Sequence, residues 1–196
     1  MTVSRPPAHA RTSQTHPLQI AEVRSAPDHG RIGITFCPGK HDYLAHTGAW
    51  ARDLPTDVKA IADWGAKLVL TLVEPAELQS LKVPFLGHEV RHHGMEWLHL
   101  PIADFSVPDD QFESQWQVHG PTIRAMLRQG DDIVVHCKGG LGRAGMITAR
   151  LLAEMGMVPD DAIRMVRKAR RGAIETSQQL ALVRRTRTIA ETDDLP

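Results

Sequence analysis

The sequence predicts an α/β fold, in which a mostly parallel central sheet is flanked by helices. Two observations lead to this prediction. Short aliphatic and β-branched runs alternate along the chain with segments whose apolar residues recur at helical spacing. Gly and Pro separate many of these segments, as they do at helix ends and turns. Because parallel strands joined by helices end at one edge of their sheet, we expect a ligand at that edge.

The predicted elements follow one another in the order that such a fold requires. Strands are predicted from aliphatic and β-branched runs, namely Ile20–Val23, Ile32–Phe36, Leu68–Val73, Trp97–Leu100 and Ile133–Val135. Helices are predicted at Pro55–Trp64, Pro75–Leu78, Val83–His93, Pro108–Arg128 (with a bend at Gly120-Pro121), Met146–Met155, Pro159–Arg170 and Ser177–Glu191. Proline opens four of these helices, and glycine directly follows three of them, at Gly65, Gly94 and Gly156.

Composition predicts one globular domain. The chain has 196 residues, of which 42% are hydrophobic, and its 23 basic and 23 acidic residues give a formal net charge of zero. Residues 19–192 are expected to form the domain, and residues 1–18, which are proline-rich and aperiodic, a flexible tail. The neutral charge argues against a nucleic-acid partner. No apolar run is long enough to predict a membrane segment or secretion signal. We also expect the protein to be a monomer.

The most informative segment joins the strand at Ile133–Val135 to the following helix. It reads His136-Cys137-Lys138-Gly139-Gly140-Leu141-Gly142-Arg143, with a cysteine and an arginine at the two ends of a glycine-rich turn. Such a turn directs backbone N–H groups and the positive end of a helix dipole at one point, which favours a phosphate-like anion. The segment therefore predicts an anion site with a thiol at its edge.

The electrostatics of this segment suit a nucleophile. A free cysteine has a pKa of about 8.5, and helix N-termini and nearby cations lower it to roughly 3.5–7.5. Arg143 supplies a planar fork that matches two phosphate oxygens. His136 is expected to support the loop by hydrogen bonding. We therefore expect Cys137 to be the attacking group.

Two other interpretations of these residues remain open. Gly140-Leu141-Gly142-Arg143-Ala144-Gly145 satisfies the dinucleotide fingerprint G-x-G-x-x-G, and Asp160 lies 20 positions beyond the start of the turn. However, Asp160 follows Pro159 and so belongs to the first turn of a new helix, not to the end of a second strand, where the fingerprint has its acidic residue. The other interpretation is a tight turn with a buried structural cysteine, which does not explain Arg143.

The His-Cys-x5-Arg pattern resembles the signature of the cysteine-dependent dual-specificity protein phosphatases. Three further segments, in the same order, strengthen the resemblance, which spans roughly residues 31–180: Arg31–Lys40, Leu100–Asp104 and Gly172–Thr176. The resemblance implies the protein tyrosine/dual-specificity phosphatase fold. It also implies hydrolysis of phosphotyrosine, and of phosphoserine or phosphothreonine, in protein substrates through a phosphocysteine. It implies no cofactor and no metal.

Phosphoryl transfer to a thiolate also requires an acid that protonates the leaving group. The family places an aspartate some thirty residues before the cysteine, and Asp104 stands at that separation here. Asp109 and Asp110 are rivals, although their position after Pro108 is typical of a helix start. The sequence favours Asp104.

The chain departs from the family at one position, since Ala144 stands where Ser or Thr usually follows the arginine. That hydroxyl stabilises the departing thiolate, so we expect slow breakdown of the phosphocysteine unless Thr176 or Ser177 substitutes. The family also has a water-positioning glutamine on the segment that follows Gly172–Thr176. The resemblance favours Gln179 over Gln178, while both could simply lie on a solvated helix face.

Other clusters permit further hypotheses. Cys37 could form a reversible disulfide with Cys137, or it could be a small buried residue. Because Cys137 is needed as a free thiol, the sequence predicts a reducing, cytoplasmic location. His88 and His92 stand four residues apart, but no accompanying ligand pattern predicts a metal. A basic run near residues 164–187 is either a solvated helix face or a positive rim that attracts anionic substrates.

Two other functions use similar residues. A sulfurtransferase or arsenate-reductase-like enzyme could use the loop without Asp104. A catalytically weak module that only binds phosphate or phosphoproteins would fit Ala144.

Overall fold

The computed structural model, which describes residues 9–45 and 47–194, confirms the predicted α/β architecture. Five strands form the main sheet in the spatial order β1-β2-β7-β5-β6, in which β1 is antiparallel to β2 and the other neighbours are parallel. A separate two-stranded sheet pairs β3 with β4. The strands are β1 (Ala21–Val23), β2 (Ile32–Phe36), β3 (His41–Asp42), β4 (Trp50–Ala51), β5 (Ala66–Thr71), β6 (Glu96–His99) and β7 (Asp132–Cys137).

Helices cover both faces of the main sheet. They are α1 (Leu54–Trp64), α2 (Pro75–Ser80), α3 (Leu86–His92), α4 (Asp110–Arg128), α5 (Gly142–Glu154), α6 (Pro159–Ala169) and α7 (Ser177–Arg185), with a 3₁₀ turn at Glu191–Asp194. Across the described ranges, none of these helices has both the length and the apolar composition that a bilayer crossing requires.

The central strands are buried on both faces because their alternate side chains enter two different cores. In β7, Ile133 and Val135 pack into the core shared with α4, α5, α6 and α7. Val134 enters the opposite core, which α1, α2 and α3 complete. Burial of each such side chain contributes about 1.5–3 kcal/mol, so the two-sided apolar pattern holds β7 in the middle of the sheet.

Several predicted helices have different ends in the structure; for example, α5 begins at Gly142 and not at the predicted Met146. The predicted helix from Val83 begins only at Leu86, because Pro84 disfavours helical backbone at the residue before it. The predicted helix to Glu191 ends at Arg185, and the chain then extends so that the amide of Ile189 donates to the carbonyl of Glu154 at 2.8 Å. Helix α4 runs through Pro121 as one element.

The pairing of β3 with β4 was not predicted, because each strand has only two residues. Part of the predicted tail packs against this pair. The amide of Arg11 donates to the carbonyl of Ala49 at 2.9 Å, and Ser13 is buried. Residues 1–8 of the predicted tail lie outside the described residues, and the single domain at 19–192 stays a prediction.

Candidate active site

The loop between β7 and α5 lies at the carboxyl edge of the sheet, where two neighbouring parallel strands also end. Cys137 is the last residue of β7 and is 3% exposed. The amide of Gly140 donates to its Sγ at 3.2 Å. Gly140 has a φ of +68°, and a β-carbon there would lie 2.4 Å from the carbonyl carbon of Thr35. The turn therefore requires glycine at this position.

Two basic side chains from other segments donate hydrogen bonds to the carbonyl groups of the loop. Lys40 Nζ donates to the carbonyl of Lys138 at 3.2 Å. Arg170 donates from Nε to the carbonyl of Gly140 at 3.1 Å and from Nη2 to that of Gly139 at 3.3 Å. Because these three consecutive carbonyls bond to partners outside the loop, they point away from the anion site, and the loop amides other than that of Gly140 remain available for an anion.

Arg143 is fixed by a carboxylate that the sequence analysis did not single out. Its guanidinium is 1% exposed and binds Glu77 with both terminal nitrogens, at 2.5 Å and 2.9 Å. Nη1 also donates to the carbonyl of Ile102 at 2.9 Å. Burial opposes the charge of Arg143, but the hydrogen bonds to Glu77 and the neighbouring negative charges, among them Glu77 and Asp104, together outweigh it, so the pKa of Arg143 is raised. The guanidinium therefore stays charged and has a fixed orientation.

The structure brings Asp104 to the arginine. Asp104 Oδ1 lies 2.9 Å from Arg143 Nη2, and its side chain is 47% exposed. Its rivals lie elsewhere: Asp109 caps α4 by accepting the amide of Phe112 at 2.8 Å, and Asp110 is the exposed first residue of that helix. Of the three aspartates, Asp104 is the one that contacts Arg143.

Gln179 is fully buried, whereas Gln178 is exposed. Its Oε1 accepts the amide of Glu175 at 2.9 Å, and its Nε2 donates to the carbonyl of Ser106 at 3.1 Å. It therefore ties the segment that carries Asp104 to the turn before α7. A β-carbon on Gly142 would lie 3.1 Å from the side-chain amide of Gln179, so Gln179 also packs against the start of α5.

His136 lies behind the loop. Its Nε2 is 2.7 Å from Thr71 Oγ1, which also accepts the indole N–H of Trp97 at 2.8 Å. Burial lowers the pKa of His136 to about 3, so the ring is neutral near pH 7. These contacts fit the supporting role that the sequence predicts, which stays a prediction.

Ala144 is fully buried in the first turn of α5. Thr176 accepts the amide of Gln179 as the N-cap of α7. Within the described residues, neither Thr176 nor Ser177 hydrogen-bonds to the loop. No contact therefore supports either hydroxyl as a substitute for the one that Ala144 lacks.

Cys37 and Cys137 are both free thiols at the ends of adjacent strands. Phe36, the residue before Cys37, is in register with Cys137. Burial raises the pKa of Cys37, which keeps it a neutral thiol. The disulfide between the two cysteines stays a prediction.

The remaining candidates lie away from the loop. Asp160 is in the first turn of α6 and accepts a hydrogen bond from Arg184 at 3.0 Å, as expected of a helix residue rather than a ribose ligand. The rings of His88 and His92 lie 6.5 Å apart. In the described part of the chain, no group of three or more His, Cys, Asp or Glu side chains could hold a metal ion.

Sequence reasoning missed Glu77 and the bonds that Lys40 and Arg170 make to the loop. One signal was available for Glu77. It follows the end of β5, which neighbours β7 in the sheet, so both carboxyl ends lie at the same edge. Glu77 also accepts the amide of Glu74 in a capping box. Because this local role is enough to explain an acidic residue here, the sequence did not indicate its contact with Arg143.

The chain is similar in sequence to known phosphatases. A family model described as "Polymorphic toxin system, DSP-PTPase phosphatase" matches residues 49–157. Mouse protein tyrosine phosphatase type IVA 2 is 34% identical over 116 residues, which cover 58% of this chain and 65% of that protein. Rat cyclin-dependent kinase inhibitor 3 is 30% identical over 131 residues, or 65% of this chain and 60% of that protein. The chain thus spans less than two thirds of these relatives.

The fold is also that of a solved phosphatase. The crystal structure of kinase-associated phosphatase, with serine in place of its catalytic cysteine, covers 85% of this chain and 92% of its own, with a TM-score of 0.73 and 24% identity. The sequence itself predicts a resemblance to this protein, from the segments Arg31–Lys40, Leu100–Asp104 and Gly172–Thr176. The resemblance is therefore confirmed.

Proposed function

Because the chain belongs to the DSP-PTPase family of phosphatases, we propose that it hydrolyses phosphotyrosine, and also phosphoserine or phosphothreonine, in protein substrates. One observation carries the proposal. Cys137 and an arginine held by Glu77 stand at the two ends of a loop whose carbonyls are bonded outward. That arrangement offers a nucleophile, a fixed cation and free amide groups to one phosphoryl group.

In the first step, the Cys137 thiolate attacks phosphorus, so that a P–S bond forms and the P–O bond of the ester breaks. The loop amides and Arg143 stabilise the charge on the equatorial oxygens. The protonated carboxyl of Asp104 gives its proton to the departing oxygen. The position of Asp104 against Arg143 supports this role, because a phosphate bound by the arginine would lie beside the carboxyl group.

In the second step, water attacks the phosphocysteine. Asp104, now a carboxylate, takes a proton from the water, the P–S bond breaks, and the thiolate of Cys137 and inorganic phosphate are released. Gln179 is proposed to orient the water. Its place between the segment that carries Asp104 and Gly142 at the start of α5 supports this proposal, and binding water requires it to exchange one of its bonds to Ser106 and Glu175.

We expect Asp104→Asn to lower kcat about 10²–10⁴-fold on substrates with poor leaving groups, because asparagine cannot supply the proton. Steady-state hydrolysis of a series of aryl phosphates measures the effect, which should shrink as the leaving group becomes more acidic. The matched control is Asp109→Asn, since asparagine caps a helix as well as aspartate does. Equal losses in both variants would remove Asp104 from the mechanism.

The absence of a hydroxyl at Ala144 predicts that the phosphocysteine accumulates. A stopped-flow experiment with p-nitrophenyl phosphate should show a burst of nitrophenol followed by slow turnover. Ala144→Ser should raise the slow rate about 10- to 100-fold, as expected for one hydrogen bond to a charged sulfur. Ala149→Ser, a change at another fully buried alanine of α5, is the control. A linear first turnover that Ala144→Ser leaves unchanged would contradict this prediction.

Ala144 also supports a second candidate function, a weakly catalytic module that binds phosphoproteins. Phosphopeptide binding without turnover of aryl phosphates would favour the module over the enzyme. Transfer of sulfur from thiosulfate to cyanide, independent of Asp104, would instead favour a sulfurtransferase.

The proposed chemistry requires a free thiol at Cys137, so we also propose that the protein acts in the reducing environment of the cytoplasm. We propose further that it acts as a monomer and uses no metal or cofactor, because the proposed steps draw only on side chains and amides of this chain.

A further inference from the structure

Phe105, the residue directly after Asp104, lies at the edge of the candidate active site and is 61% exposed. It stands between two residues that are each held at the site. Asp104 Oδ1 lies 2.9 Å from Arg143 Nη2, and the carbonyl of Ser106 accepts the side-chain amide of Gln179 at 3.1 Å. Because both of its neighbours are held in this way, Phe105 has a fixed place at the rim, on the side of the acid.

The backbone of Phe105 has a conformation that usually requires glycine. Its φ is +55°, in the left-handed region. The amide of Ser106 donates to the carbonyl of Ala103 at 3.1 Å, so Phe105 is the third residue of a β-turn. Where this position of a turn has a positive φ, glycine or asparagine is usual, because a bulky side chain strains the backbone there. Phenylalanine is therefore a strained choice at this point of the chain.

Packing within the fold does not explain this strain. Ile174 also has a positive φ, but it is 2% exposed and belongs to the core, so burial of its side chain stabilises the turn. Phe85 is an exposed phenylalanine, but its φ of −99° is not strained. Among the described residues, Phe105 is the large apolar residue that combines a strained backbone with an exposed side chain. Strain of this kind is concentrated at active sites and ligand contacts, which points to a ligand here.

The ring of Phe105 adjoins the place where the leaving group of a substrate would lie. In the proposed mechanism, Asp104 gives its proton to the oxygen that joins phosphorus to the leaving group. In phosphotyrosine this oxygen is attached directly to an aromatic ring, whereas in phosphoserine and phosphothreonine it is attached to a short alkyl chain. Aromatic rings attract each other in offset or edge-to-face geometry, with centroids about 4.5–7 Å apart. A phenylalanine beside the acid therefore favours an aryl leaving group.

We propose that Phe105 is a specificity-determining residue, whose ring packs against the aromatic ring of the leaving group and makes the site prefer phosphotyrosine to phosphoserine and phosphothreonine. This inference rests on the proposed function, because it takes Asp104 as the residue that meets the leaving oxygen. The exposure and the backbone strain of Phe105 do not depend on that function.

Binding to the Cys137→Ser protein tests the proposal without requiring turnover. Two fluorescent peptides are compared that differ only in carrying phosphotyrosine or phosphothreonine at one position. We expect Cys137→Ser to bind the phosphotyrosine peptide about tenfold more tightly in fluorescence polarisation, which is the scale of one aromatic pair.

The contribution of Phe105 is measured with Phe105→Gly in the same background, which should reduce the preference to about twofold or less. Glycine keeps the amide that donates to Asp104 Oδ1 at 3.1 Å and relieves the strained φ, so the variant should remain folded. Phe105→Tyr keeps an aromatic ring and should retain the preference. Phe85→Ala, at the exposed phenylalanine that begins α3, is the matched control and should leave the preference unchanged. Circular dichroism checks that each variant is folded.

Equal affinity of Cys137→Ser for the two peptides would overturn the proposal, and so would a preference that survives in Phe105→Gly or is lost in Phe105→Tyr. An equal loss of affinity for both peptides in Phe105→Gly would also overturn it, because it would show that Phe105 supports the turn and does not discriminate between leaving groups. Failure of the wild-type protein to hydrolyse p-nitrophenyl phosphate and either peptide would defeat the proposed function. The binding preference measured on Cys137→Ser would still decide the role of Phe105.

Discussion

Replacing Cys137 with serine is expected to lower kcat/KM for p-nitrophenyl phosphate about 10⁴–10⁶-fold, the scale of losing a hydrolase nucleophile. A serine hydroxyl is not ionised near pH 7, and among the described residues of the loop no side chain is placed to remove its proton. The loop amides and Arg143 should still bind phosphate, so the variant should retain affinity for phosphopeptides. Steady-state kinetics and peptide binding together measure both effects.

The chain provides its own control for this substitution. Cys37 is also buried and lies at the end of the adjacent strand, but its burial keeps it a neutral thiol. Cys37→Ala should therefore change kcat/KM only a few-fold. If Cys37→Ala abolished activity while Cys137→Ser retained it, the assignment of the nucleophile would be wrong.

Replacing Arg143 with lysine is expected to lower kcat/KM about 10²–10³-fold, the loss typical of one group that stabilises transition-state charge. Lysine keeps the positive charge, but it has no planar fork to bind two oxygens at once. It also cannot keep both bonds to Glu77 together with the bond to the carbonyl of Ile102. The loss should appear in kcat and in the inhibition constant of vanadate.

Arg150→Lys is the matched control, because Arg150 also lies on α5 and binds a carboxylate, Glu113, with two nitrogens. It should lower thermal stability without changing kcat. Arg143→Lys should lose activity at temperatures where its circular dichroism spectrum is native. Full activity in Arg143→Lys would show that the guanidinium does not contact the reacting phosphate.

The fold class and most elements could be predicted because they depend on short-range patterns. Neighbouring residues alone predict strands that are apolar on both faces, such as Ile133–Val135, and helix ends marked by glycine, such as Gly65. The strand pair β3–β4 could not be predicted in this way. Its strands are too short for periodicity, and they are held by their register with each other and by the bridge between Arg11 and Trp50.

For the candidate site, the sequence favoured one member of each pair of similar residues, and the structure places the two members of each pair differently. Asp104 contacts Arg143, whereas Asp109 caps a helix. Gln179 is buried against the start of α5, whereas Gln178 is exposed. Each pair has the same chemistry at almost the same position in the chain, so only the direction of the side chain distinguishes its members.

The sequence by itself determined the loop from Cys137 to Arg143, because a strand, a glycine turn and a helix start are all encoded within a few consecutive residues. Only the tertiary structure decided what surrounds that loop. Glu77, Lys40 and Arg170 reach it from three other segments, and together they fix the arginine and hold the carbonyls outward. The physical reason is that ion pairs and hydrogen bonds form wherever the fold brings charges together, irrespective of their separation along the chain.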